Sequence, residues 1–252
     1  QLKISKSDPE TGELLQLISA EEINVRCDAA VQELLQGRLK VESITVSGLA
    51  ARVVRERGGH WNLSELLPLP SFNPNQINLP TVRIQGGTAE LLDRSKSNRL
   101  VKCDNIEMQL RLKRVLDELQ QPTAQVMTTF DGTLATEFCR RVEVEGAAST
   151  TDGTWRVSGN MQELKWSPLL AATLPFKINS DVQSGLRAEA QVDFSVSKRT
   201  NFDQPQFQID GIVTQGQWHP PRLPQPVTNV TAEFHVDNQG MAVRRLSATL
   251  GE

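Results

Sequence analysis

From Leu186 to Ser197 the chain alternates apolar and polar residues for twelve positions without an error. Leu186, Ala188, Ala190, Val192, Phe194 and Val196 are apolar, and the residues between them are polar. Successive side chains of a strand point to opposite faces, so this stretch predicts a strand with one dry face and one wet face. At roughly 3.3 Å per residue it extends about 40 Å, well beyond a common strand. A strand this long needs long neighbours to satisfy its backbone. The run therefore predicts a broad antiparallel sheet, apolar on one side.

The same period recurs along the chain. Strand-like segments are read at 13–29 (Ile23, Val25, Cys27 in phase), 39–57, 81–93, 102–113 (Ile106, Met108, Leu110, Leu112), 124–130, 142–148 and 155–161. After the opening strand come Phe207, Ile209 and Gly211, then Val230, Ala232, Phe234 and Val236, which pair with Met241 to Leu250 through the turn Asp237–Gly240. Gly48 predicts a bulge where the phase shifts. Asp131-Gly132 predicts a hairpin turn, and Asp152-Gly153 another. Helical turns are predicted at 30–36, at 62–67 with Asn62 as cap, at 115–121, and at 167–174 with Ser167 as cap. The expectation is an all-β meander with a few short helical turns. It either curves into an open apolar groove or closes as a β-sandwich. Gly59-His60-Trp61, Gly153-Thr154-Trp155 and Gly216-Gln217-Trp218 are weak internal echoes, read as repeated hairpin units.

Composition narrows the function classes. A net charge of −3 gives no electrostatic case for nucleic acid or for anionic headgroups. Cys27, Cys103 and Cys139 lie far apart without a CxxC or a neighbouring His, so no zinc site is predicted, and Cys27 is read as a small buried hydrophobe. No apolar run approaches the roughly 20 residues of a membrane span. Both ends read as interrupted strands, so the chain is expected to be a piece of a longer protein. It is read as one domain over 1–252, with a possible subdivision at 1–121 and 122–252.

Catalytic chemistry finds no anchor. His60, His219 and His235 share no spacing, and a solvated or locally bonded role is predicted for each. No carboxylate pair stands out, no serine sits in G-x-S-x-G, and Gly86-Gly87 lacks the strand-to-helix setting of a phosphate loop. Arg140-Arg141 and Arg244-Arg245 read as solvated strand ends. Asn62-Leu63-Ser64 and Asn229-Val230-Thr231 match glycosylation sequons, which matter only in a secreted eukaryotic protein. The expectation is no enzyme, no cofactor and no metal.

The run from Leu34 to Leu67 resembles the N-terminal motif of the AsmA-like family. The matching positions are Leu39, Val41, Ile44, Val46, Gly48, Gly59, Trp61, Asn62 and Leu63. The next piece, LPTVRIQGGTAELLD ending at Asp93, is also similar, after an insert SFNPNQIN. The later G-x-W hairpins and the closing VTNVTAEFHVDNQGMAVRRLSATLGE resemble repeats of AsmA and TamB relatives. The likeness is good over 34–93 and loose elsewhere. It implies a Gram-negative periplasmic protein, tethered to the inner membrane by a segment outside this chain. It also implies a role in phospholipid transport or outer-membrane homeostasis, with other envelope proteins as partners.

Long strands with one apolar face and little helix leave apolar surface in want of a partner. If the partner is lipid acyl chains, the candidate lining is Ile106, Met108, Leu110 and Leu112 on one strand. It continues with Leu186, Ala188, Ala190, Val192 and Phe194 on the longest strand, with Val230, Ala232 and Phe234 beside them. If the partner is a second sheet, the chain is a scaffold module of a large envelope protein.

Overall fold

The computed structural model describes residues 1–7, 12, 14–28, 40–57, 62, 78–94, 99–117, 121–149, 153–167, 170, 185–199, 204–219 and 223–251. Of these, 83% lie in strands and 2% in helical positions, so the protein is all-β. The strands are β1 (Leu2–Ser7), β2 (Leu14–Ala20), β3 (Glu22–Asp28), β4 (Lys40–Ser47), β5 (Ala50–Arg55), β6 (Asn78–Asp93) and β7 (Arg99–Leu116). They continue with β8 (Pro122–Thr136), β9 (Cys139–Ser149), β10 (Trp155–Lys165), β11 (Leu186–Lys198), β12 (Gln206–Trp218), β13 (Val227–Asp237) and β14 (Gly240–Leu250). All fourteen belong to one mixed sheet that is not closed into a barrel. There is no separate second sheet among the described residues. The chain divides into two compact units, 1–135 with 145–154 and 136–144 with 155–252.

In the first unit, β2 and β3 form one line broken only at Glu21, and β4 and β5 form another broken at Gly48 and Leu49. Gly48 has φ +59, and a Cβ there would stand 2.5 Å from the Glu21 side chain. Glycine takes this conformation without strain, but the predicted bulge is not formed: Ser47 opposite Gln85 and Ala50 opposite Thr88 keep one register across the break. Across the break the line stays fastened to β6: Gly48 N donates to Gln85 O at 3.0 Å and Thr88 N donates to Leu49 O at 2.7 Å.

The meander holds with one exception. β4 and β5 both run parallel to β6, from Ser43 opposite Thr81 to Arg55 opposite Asp93. Parallel strands need a crossover of a dozen residues or more, and the interval between Arg55 at the end of β5 and Asn78 at the start of β6 is long enough for one. The strand from Leu186 forms as β11 with 13 residues, but β7 with 18 and β6 with 16 are longer.

Two turn expectations fail for local reasons. β8 runs straight through Asp131-Gly132 and turns at Glu137-Phe138 instead. Asp131 is paired with Arg111 on β7, and a Cβ on Gly132 would overlap Glu107 O, so this glycine serves close backbone approach rather than reversal. Val115 and Leu116, assigned to a helical turn, belong to β7, and Thr123 Oγ1 ties the hairpin by donating to Val115 O at 2.7 Å. The helical turns at 30–36, 62–67 and 167–174 lie outside the described residues except at Asn62, Ser167 and Leu170. Leu170 N donates to Ser167 Oγ at 3.1 Å, the expected cap.

Among the described residues eleven hydrophobic side chains are buried and thirteen large ones are exposed, so much of the apolar face is only partly covered. In the first unit the buried ones are Leu17, Ala20, Val54, Leu79, Cys103 and Ile106. Asn62 is buried with them at 6% exposure. It accepts from Val54 N and donates to Arg52 O, both at 2.9 Å, so one side-chain amide replaces a neighbouring strand on the flank of β5. In the second unit Cys139, Val142, Leu170, Val192 and Val236 are buried. Cys27, expected inside, is only half-buried; Cys103 and Cys139 are the buried thiols.

Candidate functional site

The second unit assembles an apolar face from five strands. Directly opposed residues in neighbouring strands share a face. The register therefore traces rows across the sheet. One row runs Gly159, Phe194, Ile209, Val236, Met241 from β10 to β14. The next runs Met161, Val192, Gly211, Phe234, Val243. The third runs Leu164, Ala190, Val213, Ala232, Leu246. Fifteen positions on one face carry no polar side chain.

The sequence spacing changes from two to three between the second and third rows on β10 and β14, and just past the third row on β12. Met161 and Leu164, Val213 and Gly216, and Val243 and Leu246 are each three apart. A strict strand would throw the later residue onto the polar face. A β-bulge absorbs the extra residue each time: the register shifts between Met161 and Leu164, at Glu189/Ala190 where β12 carries Thr214 extra, and at Glu233/Phe234 where β14 carries Arg244 extra. Glu163 (φ 53) and Asn229 (φ 52) hold the left-handed conformations that such bulges use. The phase breaks in the sequence are thus what keeps the face apolar.

Coverage falls toward the last strand. Val192 is 4% and Val236 3% exposed, whereas Met241, Val243, Leu246 and Leu250 are 53–69% exposed. Phe194, Ile209, Phe234, Val213 and Ala190 are intermediate. With strands about 4.8 Å apart and two residues between rows, the patch measures roughly 20 by 13 Å. That is a few hundred Å² of apolar face, of which the β14 end is the exposed part.

The opposite face is largely polar and locally bonded, with Ile212 exposed between Gln191 and Glu233. Asn160 Nδ2 donates to Asp193 Oδ1 at 2.7 Å, and Gln208 Nε2 donates to Asp210 Oδ2 at 2.9 Å. His235 Nδ1 lies 2.8 Å from Asp210 Oδ1, and its Nε2 lies 3.5 Å from Asp237 Oδ2. Hydrogen bonds from Gln208 and then from His235 hold the Asp210 carboxyl below its ordinary range. The Gln239 and Gly240 N–H groups, with His235, do the same for Asp237. This is the locally bonded histidine expected at 235. His219 is exposed, with its backbone N–H donating to Gly185 O at 3.1 Å, and His60 lies outside the described residues. Among the described residues no group of three or more His, Cys, Asp or Glu is arranged to hold a metal ion.

Of the candidate lining, Leu186, Ala188, Ala190, Val192 and Phe194 are on β11, and Val230, Ala232 and Phe234 are on β13. They share a face but are not neighbours, because β12 lies between them and contributes Ile209, Gly211 and Val213. Ile106, Met108, Leu110 and Leu112 stand on β7 in the first unit. There Met108 opposes Ile84, Leu110 opposes Val82, and these oppose Val46 and Ile44 of β4. Sequence reasoning passed over Met161, Leu164 and the three glycines at 159, 211 and 216. Gly159 and Met161 stood in the strand-like phase read at 155–161, and Gly211 in phase with Phe207 and Ile209.

No helix among the described residues is long and apolar enough to cross a membrane. No family model matches the chain, and no curated protein or solved structure matches it closely.

Proposed function

We propose that the chain is a non-enzymatic segment of a bacterial envelope protein of the AsmA-like kind, and that its apolar sheet face carries phospholipid acyl chains. The observation that carries this reading is the three-row patch, apolar at every position and increasingly exposed toward β14. Acyl chains need only continuous apolar surface, each buried CH₂ contributing about 0.8 kcal/mol. Gly159, Gly211, Ala190 and Ala232 keep parts of the patch shallow, and the bulges add local bend and twist to a sheet that would otherwise be flatter. The β7 residues Ile106, Met108, Leu110 and Leu112 extend the same chemistry in the first unit. The resemblance at Leu34–Asp93 supplies the setting: the periplasm, a tether to the inner membrane, and a role in lipid transport or outer-membrane homeostasis.

The test is mass spectrometry of lipid extracted from the purified protein and from Leu246→Glu, a change at a 69%-exposed position that leaves the core intact. Phospholipid in the wild type and several-fold less in the variant, at an unchanged thermal midpoint, is the expected result. A lipid-free wild type, or equal loads in both, leaves a scaffold module as the reading.

A further inference from the structure

We propose that a lapse in the β12–β13 ladder, on the polar side of the second unit, is a binding site for a neutral saccharide. Pairing between these strands runs from Gln208 opposite Asp237 to Val213 opposite Ala232, and resumes only at Trp218 opposite Val227. Residues 214–217 and 228–231 face one another with no ladder pair between them. Each strand keeps its other neighbour: Gln215, Gly216 and Gln217 pair with β11, and Thr228 and Thr231 pair with β14. The ladder therefore assigns the backbone groups that point into the lapse no register partner.

Local conformation maintains the lapse. Thr214 is the extra residue of the β11–β12 bulge, its hydroxyl donating to Glu189 O at 3.3 Å. Asn229 sits at φ 52. Gly216 passes so close to Val230 that a Cβ there would stand 2.9 Å from the valine Cβ. A trough of about 830 Å³ lies over this end of β10 to β13 and takes in the lapse. That volume lies within the range of small-molecule sites.

Its lining selects the ligand. Gln215, Gln217, Thr228, Asn229 and Thr231 contribute neutral donors and acceptors, and Trp166 also lines it. Lys165 and Glu189 are register partners, so their charges offset one another, leaving Arg187 as the one unbalanced charge. The buried Nε1–H of Trp166 has no acceptor among the described residues. Many neutral hydrogen-bonding groups with little net charge match a polyhydroxyl ligand better than an anion or an acyl chain. Arg187, Glu189, Gln215 and Gln217 alternate with the apolar residues of their strands, so the side chains of this site lie on the polar face, with Ala188 of the candidate acyl lining also at its wall.

The test is a titration of the whole chain with maltotriose, with chitotriose and with inorganic phosphate, followed by the side-chain amide signals of Gln215, Gln217 and Asn229 in nuclear magnetic resonance. Saturable shifts with either sugar are expected. Asn229→Gly keeps the left-handed backbone and removes the amide, and should weaken binding about tenfold. Gln217→Ala should do likewise, and both variants should keep the wild-type thermal midpoint. No saturable response to either sugar at tens of millimolar, a response to phosphate alone, or sugar binding unchanged in both variants would overturn the assignment.

Discussion

The ring of Phe234 occupies the space that a side chain on Gly211 would need: a Cβ at 211 would overlap the phenylalanine Cζ. The two are direct register partners on β13 and β12. Phe194 repeats the arrangement over its partner Gly159, where a Cβ would lie 2.8 Å from its Cζ. In each case an aromatic ring lies against the bare backbone of the neighbouring strand, covering a glycine that contributes no side chain of its own.

Gly211→Ala is therefore expected to destabilise the protein by about 1–3 kcal/mol through overpacking. Urea unfolding measures it. The same change in a Phe234→Leu background should cost clearly less, because the two sites share the contact. Equal costs in both backgrounds would remove the ring from the explanation.

Alternation was enough to find the strands, because one wet and one dry face impose a period of two wherever a sheet is half-covered. It says nothing about strand direction. Hence the parallel run of β4 and β5 along β6 was not legible, and Ser43 opposite Thr81 was not foreseen. Asp131-Gly132 misled because the same dipeptide serves a tight turn and a close strand approach; only the position of Glu107 on β7 decides. For the candidate site, the residues of β11 and β13 were legible by phase. Leu164 and Leu246 were harder to join to the face, because the bulges that restore their phase are tertiary features of the paired strands.

Asn62 is the second test of local packing. Asn62→Ala leaves Val54 N and Arg52 O without their partner in a buried place. A loss of about 2 kcal/mol is expected. Hydrogen exchange should report it residue by residue, with the Val54 amide losing protection. Unchanged protection at Val54 would show that the bond does not hold the flank of β5.

Acid should weaken the second unit through Asp210 and Asp237. Both carboxyls are held below the ordinary value of 3.8, Asp210 chiefly by Gln208 and Asp237 chiefly by the Gln239 N–H. A carboxyl whose native pKa is depressed contributes stability above its unfolded value, and that contribution is lost as pH falls through the native one. Thermal midpoints taken between about pH 7 and pH 3 should drop at the acid end, and Asp210→Asn should show a smaller drop. A variant with an acid dependence as steep as the wild type would contradict this.

The three thiols should differ in reactivity. Burial raises the pKa of Cys103 and Cys139, which keeps them protonated at neutral pH, whereas Cys27 is half-buried. Timed alkylation of the native protein with peptide mass spectrometry should label Cys27 first. Labelling of Cys139 ahead of Cys27 would count against the packing around Arg141 O and Gln162 O, each 3.2 Å from its sulfur.

The acyl-binding claim is tested most directly by photo-crosslinking from adjacent residues on opposite faces of β14. Leu246 opposes Ala232 on the apolar face, and Ser247 opposes Thr231 on the polar face. Both are exposed, so access alone does not distinguish them. A benzophenone amino acid is placed at each position in turn and irradiated in cells, and the purified protein is weighed intact. The account predicts a phospholipid adduct from position 246 and none from 247. Equal adducts from both positions, or none from either, would contradict it.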